Sequence, residues 1–132
     1  MALYNRINFF LLYWILFLFT YAQASNAAAI EGYLSSFSVV QGESIDIHAS
    51  TSDASFSIEI YKDSPNDYQL ISSVAQITGN HNHLTPEDNA WLGPDWPIAY
   101  TLNIPLDWES GLYLIKLKSS DSSTELIVVI RE

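Results

Sequence analysis

Beyond residue 30 the apolar residues alternate with polar ones, a period of two that strands can satisfy and helices cannot. Ile45, Ile47 and Ala49 alternate with Ser44, Asp46 and His48, and Phe56, Ile58 and Ile60 alternate with Ser57, Glu59 and Tyr61. Successive strand residues point to opposite faces, so each run offers one face to a core and one to water. The same reading predicts strands over Tyr33–Val40, Tyr68–Thr78, Tyr100–Ile104, Gly111–Lys118 and Thr124–Arg131, seven in all. Pro65, Pro86, Pro94, Pro97 and Pro105 fall between these runs or at their ends, as expected of a residue that cannot donate to a ladder. Gln41-Gly42 and Ser64-Pro65-Asn66-Asp67 supply turn chemistry, and Gly79–Ala99 is one long connection rich in Asn, His, Pro and Trp.

Composition divides the chain. Residues 1–24 hold eight of its eighteen aromatics and a single charge, Arg6. Phe9 to Ala22 is an uncharged run of 14 residues, apolar but for Thr20, and leads into Ala22-Gln23-Ala24. This is the pattern of a cleaved secretory signal, with Ala27-Ala28-Ala29 as a second cleavage site. A spanning helix needs ~20 apolar residues, so a stable membrane anchor is the weaker reading. The expectation is a signal peptide over 1–24, a single domain over 25–132, and a secreted or periplasmic location. Beyond residue 24 stand all fifteen acids and four bases, a net charge of −11. That balance disfavours nucleic acid as a partner, because no basic cluster exists to neutralise phosphates. The chain has no cysteine, which removes disulfides and thiolate metal sites and leaves the core alone to hold an exported domain.

Seven short strands in about 100 residues point to an all-β sandwich of immunoglobulin or fibronectin type, with antiparallel strands. Gly42-Glu43-Ser44-Ile45-Asp46-Ile47-His48-Ala49 resembles strand B of an immunoglobulin domain, and Glu109-Ser110-Gly111-Leu112-Tyr113-Leu114-Ile115 resembles its turn into strand F. The resemblance implies that Ala49 and Ile115 stand at the usual disulfide positions and pack against each other instead. It makes Tyr113 the tyrosine corner, its hydroxyl bonded to backbone a few residues upstream.

A narrower resemblance rests on Glu31-Gly32-Tyr33-Leu34 through Gly42-Glu43, on Ser57-Ile58-Glu59-Ile60-Tyr61, and on Ile104-Pro105-Leu106-Asp107-Trp108-Glu109-Ser110-Gly111-Leu112-Tyr113. Together these resemble the sandwich domain of proteins similar to the N,N-dimethylformamidase large (beta) subunit. In that family the sandwich precedes a larger catalytic domain that carries an iron site and amidohydrolase activity. The resemblance implies a last strand at Leu126–Arg131 leading toward such a domain, which has no counterpart in these residues. It therefore implies an accessory role for a stand-alone or truncated copy, with Trp108 and Gly111 as structural parts of the turn. It implies no catalytic residue and no cofactor.

Residue by residue, catalytic chemistry is thin. His81 and His83 with Glu87 or Asp88 would make an incomplete zinc set. Glu87, Asp88 and Asp95 lack the spacing of a calcium loop. No Gly-x-Ser-x-Gly occurs, and no Ser–His–Asp arrangement has local support. Aromatics of the long connection offer the alternative function. Trp91, Trp96 and Tyr100 beside Asp95 could stack on sugar rings while the carboxylate takes hydroxyl hydrogen bonds, in a secreted carbohydrate- or protein-binding module. The accessory reading instead predicts an apolar patch around Trp91, Trp96 and the last strand, to be covered by a catalytic partner.

Overall fold

The computed structural model describes residues 29–79 and 95–132. Eight strands follow one another: β1 (Ile30–Leu34), β2 (Ser38–Val40), β3 (Ser44–Thr51), β4 (Ser55–Asp63), β5 (Tyr68–Thr78), β6 (Ile98–Asn103), β7 (Gly111–Lys118) and β8 (Ser123–Arg131). They form two sheets, β1-β3-β6 and β2-β8-β7-β4-β5, which pack as a sandwich. No helix occurs among the described residues. The signal-peptide segment 1–24, the second cleavage site and residues 80–94 lie outside the described residues, Trp91, His81, His83, Glu87 and Asp88 among them.

The structure departs from the expected strands in three ways. Tyr33–Val40, expected as one strand, is two strands in different sheets. Residues 35–37 interrupt it because serine side chains compete for the backbone there. Ser35 Oγ accepts from the Asp46 N–H (3.1 Å), and Ser36 Oγ donates to the Ser38 carbonyl (2.8 Å). The chain can then cross from β1, paired with β3, to β2, which pairs with β8. That second pairing is parallel, the exception to an otherwise antiparallel sandwich. The strand expected at Tyr100–Ile104 begins earlier, at Ile98.

Alternation fills the space between the sheets. Ile45, Ile47, Ala49 and Leu102 from the small sheet meet Val39, Phe56, Ile58, Ile60, Tyr113, Ile115, Leu117, Val128 and Ile130 from the large one in a single buried cluster. Ala49 pairs with Gly32 in the β1–β3 register. A Cβ at Gly32 would come within 2.5 Å of Leu117 Cδ1 and 2.8 Å of the His48 carbonyl oxygen. Two small residues side by side thus leave room for a leucine from the opposite sheet. Gly42 has φ of 81° in the turn between β2 and β3, where the Glu43 N–H bonds back to the Val40 carbonyl. This turn passes between sheets, while Ser64–Asp67 closes the hairpin of β4 and β5.

Candidate functional site

Of the residues expected to bind a ligand, Trp96 lies on the outer side of the small sheet, against Tyr33 and His48, whereas Tyr100, register partner of the buried Ile47, turns toward the core. Tyr33 and His48 are register partners, and their rings stack at 4.5 Å with planes 3° apart. The backbone at Trp96 is held between them: its N–H donates to the Tyr33 hydroxyl (3.0 Å) and its carbonyl accepts from His48 Nδ1 (2.6 Å). The Trp96 ring lies 5.6 Å from that of Tyr33, and the residue is only 8 % exposed. It is packed, not presented. Tyr100 is half-buried against the core, and Asp95 alone of the described set is exposed. The structure therefore does not gather Trp96, Asp95 and Tyr100 into an open aromatic platform, and it sets Trp96 on the sheet opposite to the last strand.

At one end of the sandwich the Asp107–Tyr113 turn is bound into the core. The Tyr113 hydroxyl donates to the Glu109 carbonyl (2.7 Å), and its ring stacks on Trp108 at 5.5 Å. Burial raises the phenol's pKa, so the hydroxyl remains a donor. Gln41 Nε2 donates to the Trp108 carbonyl (2.6 Å), tying this turn to the β2–β3 turn. Lys62 pairs with the Glu109 carboxylate, whose pKa is lowered by that hydrogen bond. Gly111 opens β7 with φ of 152°. Ala49 and Ile115, both buried, lie on the inner faces of opposite sheets within the same cluster. The hydrogen bonds and contacts of these positions run to backbone and to the core.

The outer face of the large sheet is different in kind. Antiparallel register partners share a face. Leu70 is opposite Tyr61, Tyr61 opposite Leu114, and Leu114 opposite Ile127, an apolar row across four strands. The next row holds Leu112 opposite Val129 and Tyr68 opposite Asp63, so a carboxylate interrupts it. Tyr68, Leu70, Ile127 and Val129 are 47 %, 51 %, 56 % and 41 % exposed. Seven large apolar residues are strongly exposed among the described residues, and these four share one face.

On the other flank of the apolar row lie charges. Glu59, Lys116 and Glu125 stand in one register row, and Lys118 reaches Glu59 Oε1 at 3.0 Å. The Tyr61 hydroxyl donates to Glu59 Oε2 (2.7 Å), which, with Lys118, lowers the Glu59 pKa. The apolar row thus has charge on both flanks, Glu59, Lys116 and Glu125 on one and Asp63 on the other.

The sequence pattern predicts an apolar patch around Trp91, Trp96 and the last strand; the exposed apolar row includes β8 but not Trp96, and its Leu70–Tyr61–Leu114 part is not foreseen. A signal was present. Leu112–Ile115 and Leu126–Ile130 are continuous apolar runs, and strands of that kind are usually covered on both faces.

Chemistry elsewhere is sparse. A shallow groove at the far end is lined by Asp53, Gln76, Lys118 and Ser120, where Asp53 accepts from the Ser120 N–H (2.8 Å) and its pKa is thereby lowered. Among the described residues no three His, Asp or Glu side chains stand where they could share a metal ion.

No protein-family model matches the chain, and no curated protein does. Among solved structures, it is similar to the sporulation control protein Spo0M from Bacillus subtilis, at 14 % identity and a TM-score of 0.47, over 81 % of this chain and 50 % of that one. It is also similar to a chain from a structure concerned with T cell specificity and activation by the bacterial superantigen toxic shock syndrome toxin-1. That match has 14 % identity and a TM-score of 0.44, over 77 % of this chain and 98 % of the other.

Proposed function

We propose that this chain is an exported, non-catalytic accessory sandwich that docks on a protein partner through the outer face of its large sheet. The observation that carries this reading is the row Leu70–Tyr61–Leu114–Ile127 with Val129 and Tyr68 beside it, apolar area directed at solvent on strands whose other face already fills the core. Leaving it uncovered exposes the chain to non-specific association, and a partner relieves that cost. The resemblance to the sandwich of N,N-dimethylformamidase large-subunit-like proteins supplies the kind of partner, a catalytic domain that the sandwich orients. It agrees with the position of β8, that family's connecting strand, in the face. A carbohydrate-binding role for the 79–99 connection has less support, since Trp96 and Tyr100 spend their rings on packing.

The test is calorimetric titration of this chain into the catalytic domain of a dimethylformamidase-type large subunit made without its own sandwich. Saturable binding is expected, weakened at least tenfold by Leu114→Glu with Ile127→Glu. No binding, or binding indifferent to both changes, overturns the assignment.

A further inference from the structure

We infer that, when no other partner is present, the face is taken by a second copy of this chain. The inference rests on the reading of this face as a docking surface and names an occupant for it. The first argument is size. The four strands β5, β4, β7 and β8, about 4.8 Å apart and mostly 8 or 9 residues long at about 3.3 Å each, make a face of roughly 19 by 30 Å, or about 600 Å². Two such faces bury about 1,200 Å² together, the lower end of the range for specific pairs, which fits association in the micromolar range.

The second argument is complementarity. Two sheets facing each other are related by a twofold axis lying in their interface. Place that axis parallel to the strands and midway between β4 and β7. Four strands then meet in order: β4 faces β7 of the second copy and β5 faces β8, while β2 lies beyond the overlap. The apolar row meets itself, with Tyr61 against Leu114 and Leu70 against Ile127, each contact made twice. In the next row on one side, Glu59 meets Lys116 of the second copy, and Lys116 meets its Glu59, so opposite charges face across the axis. On the other side Tyr68 meets Val129 at the rim, where Asp63 beside Leu112 keeps access to water. Moving the axis onto β7 would instead set Glu59 against Glu125 and Lys116 against itself. Of the two, the placement between β4 and β7 matches both the Tyr61 row and the Glu59 row.

Sedimentation equilibrium of the purified chain from low to high micromolar concentration tests this. Twice the chain mass is expected at the upper end. Leu114→Glu with Ile127→Glu should remain at the single-chain mass, and any association through residues 1–28 is common to both proteins. If that double variant does not fold, Ile127→Lys alone, at a site 56 % exposed, makes the same break. Glu59→Lys should weaken pairing at least tenfold, and adding Lys116→Glu should restore it, because the swapped charges again meet across the axis. A dimer unmoved by the apolar changes, or one not rescued by the double charge swap, overturns the inference. A wild-type chain that stays single while binding the catalytic domain through Leu114 and Ile127 overturns the pairing and leaves the docking role standing.

Discussion

Tyr113 places a large ring in the core and still satisfies its hydroxyl, at 1 % exposure, through the Glu109 carbonyl. A buried hydroxyl bond contributes about 1 kcal/mol, so Tyr113→Phe should lower the unfolding free energy in urea by about that amount. An unchanged denaturation midpoint would contradict the role of that bond. The carboxylate of the same Glu109 has a second duty, in the ion pair with Lys62. Its folded pKa is lowered from the ordinary 4.5, so the stability it adds is present above that value and is lost as pH falls through the depressed one. Wild type should therefore melt above Glu109→Gln near neutral pH, and the gap should close in strong acid. Melting curves taken from pH 7 to pH 2 would reveal a gap that persists. Tyr113 was legible in the sequence because it belongs to a local Ser-Gly-x-Tyr turn. The Lys62–Glu109 pair was not, since its partners are 47 residues apart.

At the level of elements, the β4–β5 hairpin contains the sharpest local constraint. Between the pairs Ile58–Val74 and Phe56–Ile77 the β5 strand carries one extra residue, and Gln76 there adopts φ of 56°. This bulge lets Ile77 return to the core after an exposed stretch. A β-branched side chain is poorly tolerated at positive φ, so Gln76→Val should cost roughly 1–2 kcal/mol. Chemical denaturation checks it, and a neutral result would mean that the bulge moves. Gly32→Ala tests the approach of the sheets: its methyl would meet Leu117 and the His48 carbonyl, and overpacking of this kind costs ~1–3 kcal/mol. The alternation exposed most strands in the sequence. It did not expose the break at 35–37, because serines there satisfy backbone groups without disturbing the apolar pattern.

For the whole molecule, charge and apolar surface act together. With fifteen acids against five bases, the folded chain repels itself, and salt screens that repulsion over about 8 Å at physiological strength. Raising sodium chloride from 10 to 150 mM should raise the melting temperature by a few degrees; a fall would show that the ion pairs of the large sheet outweigh the net charge. What the sequence determined by itself was the class of fold, because a period of two along the chain dictates which residues of a strand can be buried whatever the strand's neighbours are. The absence of cysteine likewise determined that packing holds the two sheets together. Only the tertiary structure decided which strands are neighbours. That placed Leu70, Tyr61, Leu114 and Ile127 in one row although they are spread over 67 residues of chain, and put Trp96 on the opposite sheet from β8. A surface is a property of adjacency in space, and hydrogen-bonded register, which no single strand contains, is what creates it.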